Sequence, residues 1–292
     1  MERKIFALGF FDGVHLGHQA LLSACREMAA KEGCIPGAVT FAGHPDTLVT
    51  GNTPKLINTP HDRQDLLKRY GMEQILVIPF DRALMAMPWQ AFLEMLEEKG
   101  AAGFVCGEDF RFGHRGEGTA QTLSAYCREK GLACAIVPEQ TQNGIRISST
   151  CIRALLEEGK LEEATAFLGH PHILTGQVVT GRQLGRTIGI PTANVLIPEE
   201  VAVPKLGVYA CLCDVEGKKY PAVTNIGSRP TVGGHQVRAE SWLLDFEGDL
   251  YGRTVTLEFY QFLRPEEKFS SLEELQREIR KNGEETRKFF GK

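Results

Sequence analysis

A chain of 292 residues with 42% hydrophobic content has room for two ordinary domains and enough apolar side chains to fill two cores. Its 33 basic and 37 acidic residues leave a formal charge of -4 and form no basic block, which argues against nucleic-acid or membrane partners. No secretory h-region follows Met1-Glu2-Arg3-Lys4, and no apolar run is long enough to span a bilayer. The eight cysteines are scattered; the closest pair, Cys211 and Cys213, has the spacing of one strand face and not of a metal knuckle, so all read as small apolar residues of a reducing cytoplasm.

In chain order, the stretch from Ile5 reads as an apolar strand, then a turn at Asp12-Gly13, and a helix that begins near His15. His15 and His18 then share one face of the first helical turn, beside unpaired backbone N–H groups and the positive end of the helix dipole, a setting suited to phosphate oxygens. Gly17 keeps that face flat enough for a nucleotide to approach the backbone. On the residues alone two other readings stand: hydrogen-bonding histidines of a buried strand–turn–helix, or a metal pair, though no third ligand has a telling spacing.

The helix runs to about residue 31, with Leu21, Ala24, Cys25 and Met28 as its inner stripe and Gly33 just past its end. Strands are expected at 37–41, 75–79 (buried), 104–106 and 132–137, alternating with helices at 59–70, 88–99 and 119–130. That alternation predicts a parallel sheet with crossover helices, whose ligands lie beyond the carboxyl ends of the strands, where His15 and His18 stand. Residues 107–116, rich in charge, aromatic rings and glycine, read alone as a mobile surface loop whose aromatics are suited to cover a flat ring. Arg146-Ile147-Ser148-Ser149-Thr150 enters a helix that Ser149 or Thr150 caps; a cap and a phosphate site use the same free N–H groups.

These strings together carry a resemblance. Phe11-Asp12-Gly13-Val14-His15-Leu16-Gly17-His18-Gln19 resembles the His-x-Gly-His signature of nucleotidyltransferases and, in full, that of bacterial FAD synthetases. Residues 107–113 and 147–153 resemble the Gly-Glu-Asp-Phe-x-Phe-Gly loop and the Ile-Ser-Ser-Thr-x-Ile-Arg signature of the same family. The resemblance implies catalytic roles for His15 and His18. It implies ATP binding by Gly9, Phe10, Asp12, Gly17, Arg146, Ser149 and Thr150, and FMN binding by Asp109. The chain departs from the family at Ala42-Gly43, where an acidic residue and proline are usual before His44-Pro45, and at Cys151, often arginine.

Two short helices broken at Gly159-Lys160 lead to Pro171, after which helical periodicity gives way to short strands until residue 271. That shift sets the expected boundary between domains 1–170 and 171–292. Thr192 and Asn194, two apart in an extended segment, place a hydroxyl and an amide oxygen side by side, a pair that either marks an ordinary turn or completes a Mg²⁺ shell with phosphates and waters. Glu240, in a mostly apolar strand, is either paired with arginine or held for chemistry. Residues 237–246 and 253–261 add strands to a small antiparallel barrel, closed by a helix with a capping box at Ser271 and Glu274 and an inner stripe of Leu272, Leu275 and Ile279.

The longer string Leu184-Gly185-Arg186-Thr187-Ile188-Gly189-Ile190-Pro191-Thr192-Ala193-Asn194 resembles the signature of riboflavin kinases, as does Asn225-Ile226-Gly227-Ser228-Arg229-Pro230-Thr231. By that likeness Gly181, Gly185 and Arg186 bind ATP, Thr192 and Asn194 hold Mg²⁺, and Glu240 is the catalytic base. The whole resemblance implies a Rossmann-like nucleotidyltransferase domain followed by a β-barrel kinase. It implies a cytoplasmic, bifunctional enzyme that uses Mg²⁺ and two ATP to convert riboflavin to FMN and then FAD.

Overall fold

The computed structural model describes residues 2–181, 185, 189–231 and 234–291. By packing, the chain falls into two units: residues up to Pro54 with Pro60–Ser149, and Lys55–Thr59 with the remainder from Thr150.

The first unit is built on β1 (Lys4–Leu8), whose side chains from Ile5 to Leu8 are at most 1% exposed because the strand has a neighbour on either side. It is followed by α1 (Leu16–Glu32), β2 (Ile35–Phe41), α2 (Pro45–Val49), α3 (Pro60–Arg69), β3 (Gln74–Ile78), α4 (Arg82–Ala86), α5 (Trp89–Glu98) and β4 (Ala101–Gly107). A small hairpin, β5 (Arg111–Phe112) and β6 (Gly118–Thr119), precedes α6 (Ala120–Lys130) and β7 (Ala133–Val137). The five-stranded sheet runs β3-β2-β1-β4-β7, with every pairing parallel. This is the Rossmann-like α/β arrangement expected from the alternating pattern. Strand order reverses between β1 and β4, and the crevice beyond their carboxyl ends is where such sheets bind ligands.

Three local expectations need correction. The core face of α1 is Leu22, Cys25 and Ala29, one step round from the predicted stripe, because the turn before the helix sets the azimuth at which it lies on the sheet. β3 is an edge strand, so only Ile78 of it is buried. Phe112 belongs to the core, 6% exposed with its ring 5.8 Å from Phe92, so only part of the loop after β4 faces outward.

The remaining elements are the hairpin β8 (Thr141–Gln142) and β9 (Ile145–Arg146), then α7 (Ser149–Glu158), α8 (Leu161–Leu168), β10 (His172–Val179), β11 (Ala193–Leu196), β12 (Gly207–Val215), β13 (Lys218–Thr231), β14 (Gly234–Leu243), β15 (Thr254–Arg264) and α9 (Leu272–Phe289). β10 to β15 close as a barrel in the order β10-β11-β14-β13-β12-β15, antiparallel throughout. Alternate residues fill it: Tyr209, Cys211 and Cys213 on β12, and Ala239 and Ser241 on β14, are all fully buried. Burial pushes the Cys213 thiol up to about 12, so it stays protonated and apolar in character.

α9 departs from expectation in two ways. Ser271 accepts the N–H of Glu274 at 3.1 Å, but the Glu274 carboxylate returns to Ser270, at 3.0 Å to its N–H and 2.7 Å to its hydroxyl, one residue outside a capping box. The helix is seated by Asn282, Gly283 and Thr286; a Cβ on Gly283 would come within 2.6 Å of the Trp242 ring. The apolar stripe is therefore not core: Leu272 is 53% exposed, and Leu275 and Ile279 are only half-buried.

His172, fully buried on β10, has neither ring nitrogen hydrogen-bonded among the described residues, and burial lowers its pKa to about 3. The unfolded chain takes up a proton near pH 6.5 that the folded state refuses, so this contribution to stability is present above that pH and is lost as pH falls toward about 3, by roughly 1.4 kcal/mol per pH unit. We expect His172→Leu to flatten the acid side of the thermal-midpoint-against-pH curve; an unchanged slope between pH 6.5 and 4.5 would count against a buried neutral imidazole.

Candidate active sites

At the switch point of the first unit, the chain leaves β1 through Gly9 and Phe10 and turns sharply at Asp12–Val14. Phe11 (φ 60°) and Val14 (φ 42°) are left-handed despite their side chains, and both are fully buried. His15 thereby becomes the N-cap of α1, with its Nδ1 accepting the backbone N–H of His18 at 3.4 Å. In a neutral His15 the ring proton is consequently on Nε2. The His18 ring stacks on it, centroids 3.7 Å apart and planes 16° apart, and Phe11 meets His18 edge-on at 5.2 Å. Gly17 allows this: a Cβ there would lie 3.1 Å from Cε1 of His15. Burial, then the charges of His15 and Arg63, holds His18 well below the usual imidazole range, so it is neutral at pH 7.

These residues form one side of a cleft of about 230 Å³. Gly9, Phe10, His15, Gly17 and His18 line it from the β1–α1 turn, Asp109 and Phe110 from the loop after β4, and Arg146 from β9. Arg146 is hydrogen-bonded to Asp109 and lies 2.7 Å from Glu139, so the guanidinium expected at ATP phosphates and the carboxylate expected at FMN are each other's partners here. Ser149 donates its hydroxyl to the carbonyl of Asp12 at 2.9 Å, tying the start of α7 to the turn, while Thr150 accepts from Arg153 at 3.3 Å. Asp12, Ser149 and Thr150 are not among the lining residues. His44 caps α2 and meets Phe10 edge-on at 4.6 Å. Sequence reasoning missed Glu139, Leu21, which lines the cleft instead of the core, and Arg63, buried behind Phe10. Only the fold brings Arg63 to this place; Leu21 follows His18 by about one turn of α1, and Glu139 precedes Arg146 by seven residues.

In the second unit, Glu240 on β14 stands directly opposite Asn194 on β11 and Asn225 on β13, a polar row across three strands on the face away from the barrel interior. A cleft of about 340 Å³ lies between that outer wall and α9, lined by Thr192, Asn225, Glu240, Trp242 and the stripe Leu272, Leu275 and Ile279. A smaller, polar cavity of about 160 Å³ shares Asn225, Glu240 and Glu266 with it. The site is thus on the outside of the barrel, roofed by the helix whose stripe sequence reasoning had assigned to the core.

Asn194 is 6% exposed, and its Oδ1 has no hydrogen-bond partner among the described residues. Added Cβ atoms at Gly181 and Gly185 would lie 2.4 Å from the Asn194 amide nitrogen and 2.1 Å from the Ile190 carbonyl oxygen, so both positions need glycine for the chain to pass so close. Arg186, expected at ATP, lies outside the described residues. The unpartnered Asn194 amide oxygen is a hard donor of the kind Mg²⁺ takes, and Thr192, two residues before it, lines the cleft. Among the described residues no three His, Cys, Asp or Glu side chains converge as a metal site, so an ion here would bring phosphate or water ligands of its own.

A parallel sheet with a histidine-capped helix at its switch point, joined to a closed barrel carrying a carboxylate among amides, defines a nucleotide-handling transferase with two active units. The FAD synthetase family model matches residues 1–151 and the riboflavin kinase family model residues 168–290. The bifunctional riboflavin kinase/FMN adenylyltransferase of Listeria monocytogenes is 37% identical over 99% of this chain and 93% of its own length; that of Escherichia coli K12 is 36% identical over 99% and 94%. A crystal structure described as a macrolide-efflux protein from Streptococcus pneumoniae superposes with a TM-score of 0.88 at 32% identity, covering 98% of this chain and 94% of that one. No helix of the described residues is long and apolar enough to cross a membrane.

The chain belongs to the bifunctional riboflavin kinase/FMN adenylyltransferase family. Its C-terminal domain phosphorylates riboflavin to FMN, and its N-terminal domain adenylylates FMN to FAD.

From the close approach at Gly185 we expect Gly185→Ala to displace the chain around Thr192 and lower riboflavin phosphorylation by at least ~10-fold, a loss that only ~1.4 kcal/mol of misplacement produces. FAD formation from supplied FMN should be unchanged, and equal loss of both activities would show that the effect is not local to this cleft.

Proposed function

We propose that FMN is adenylylated in the cleft beyond β1, β4 and β7, and that riboflavin is phosphorylated in the cleft between the barrel wall and α9. The observation that carries this reading is that each cleft is assembled within one unit and holds the residue types its own reaction needs.

In the first reaction an FMN phosphate oxygen attacks the α-phosphorus of ATP, forming the new P–O bond as pyrophosphate leaves. The nucleophile is already anionic, so no base is required, and catalysis reduces to positioning and charge stabilisation. His15, with Nδ1 occupied, offers its Nε2 side; His18 is neutral until anionic phosphates arrive, when it serves as a hydrogen-bond donor. Gly9, Phe10 and Gly17 shape the ATP side; Asp12 and Ser149, outside the lining, support it through their hydrogen bond; Asp109 attends FMN. Arg146 is half-exposed, as are its carboxylate partners, so their attraction is worth only ~0–1 kcal/mol and exchange for a triphosphate costs little.

In the second reaction the terminal ribityl hydroxyl is a poor nucleophile, so Glu240 takes its proton as the oxygen attacks the γ-phosphorus and ADP leaves. Thr192 and Asn194 would hold Mg²⁺, which would supply charge neutralisation at the phosphates, and Gly181, Gly185 and Arg186 would border the nucleotide. The eight free cysteines support a reducing, cytoplasmic setting.

Chromatography of the flavins tests the assignment. Glu240→Gln should lower FMN formation ~10²- to 10⁴-fold while FAD formation from supplied FMN is kept, and loss of both would defeat the idea of separate sites. His18→Ala should do the reverse, cutting FAD formation ~10²-fold or more with riboflavin phosphorylation intact; undiminished FAD output would remove His18 from the mechanism.

A further inference from the structure

Behind the wall of the N-terminal cleft is a charge that neither reaction, as described, uses. Arg63 projects from α3 and is 1% exposed. Its Nη2 donates to the carbonyl of Phe41, at the end of β2, at 2.7 Å. Its guanidinium carbon lies 4.2 Å from the ring centroid of Phe10, a cleft-lining residue. Nε and Nη1 are buried and have no hydrogen-bond partner among the described residues. Asp12, 2% exposed, attracts it, yet burial still pulls its pKa down to about 10, which leaves it charged at neutral pH.

A buried cation with two of its three nitrogens unpartnered among the described residues is a poor structural strut. Folding must strip its hydration without replacing it, and an apolar side chain of similar volume would fill the same space at less cost. What a guanidinium provides there and an apolar side chain does not is positive potential in a low-dielectric wall, on the far side of Phe10 and near enough to His18 to bear on its protonation. Its planar face suits stacking on an aromatic ring, which a lysine does less well.

We propose that Arg63 is a positioning residue for adenylyl transfer, its fixed buried charge behind Phe10 and His18 orienting the triphosphate and stabilising the negative charge that moves onto the departing pyrophosphate. This rests on the reading of the N-terminal cleft as the adenylyl-transfer site. The charge acts without reorganising during the reaction, because the Phe41 carbonyl and the Phe10 ring hold the guanidinium in place.

The test uses the full chain with FMN, ATP and Mg²⁺, following FAD, and compares Arg63→Met, Arg63→Gln and Arg63→Lys. Glutamine keeps a donor for the Phe41 carbonyl without the charge; lysine keeps the charge. Methionine and glutamine should lower kcat ~10- to 100-fold with KM for FMN little changed, and lysine should restore most of it. Riboflavin phosphorylation by the same preparations should be unaltered. Glutamine matching the original enzyme, or lysine no better than glutamine, overturns the proposal. If the methionine variant does not fold, the glutamine–lysine comparison decides. His18→Ala, run in parallel, separates the two levels: if it keeps full FAD synthesis, the site itself is misplaced, whereas if it loses activity and the Arg63 series does not, only the role of Arg63 falls.

Discussion

The N-terminal half depends on the turn between β1 and α1. Val14 is β-branched and left-handed, a conformation that costs ~1–3 kcal/mol, and Phe11 shares the strain. Complete burial of the two side chains, worth ~1.5–3 kcal/mol each, offsets it. The result is a reversal so tight that the last residue of the strand and the N-cap of the helix border one cleft. His15 is an N-cap because of it, the His18 ring stacks on His15 because of it, and the stripe of α1 that meets the sheet is chosen by it. The hydroxyl of Ser149 holds the turn from outside by its bond to Asp12, so a residue outside the cleft lining still bears on the geometry of the histidines.

The barrel solves a different problem. Its interior is filled by tyrosine, cysteine and other buried side chains, and the polar row of Glu240, Asn194 and Asn225 is on the outer wall. α9 provides the second side: it is anchored by Gly283 against Trp242 and keeps Leu275 and Ile279 free of the core, so they line a cleft. Small and polar residues do the seating and large apolar ones face the substrate space, the inverse of an ordinary amphipathic helix.

The two sites also differ in how they handle charge. The N-terminal cleft pairs its exposed arginine with carboxylates at the rim, where solvent makes exchange cheap, and keeps another arginine in the wall, where low dielectric makes its field strong. The cleft beside the barrel sets Glu240 between two asparagines in a polar row, with Arg238 and Glu266 lining the adjoining cavity.

Much of this was readable from the residues. Periodicity and turn chemistry suffice for the alternating strands and helices, the barrel and the terminal helix, since these depend on local spacing. The motif strings point to the two histidines and to Thr192 with Asn194 because each pair is close in the chain, whereas Glu240, on another strand, came from the family resemblance. Spacing could not tell which face of α1 or α9 meets the core, because that is set by the turn that launches one helix and by the glycine that seats the other. Nor could it find Arg63, whose neighbours Phe10 and Phe41 are far away in sequence. An arginine in a polar helix such as α3 reads as solvated surface; only the packing of α3 against the β1–α1 turn desolvates it, and burial is what turns an ordinary charge into a strong one.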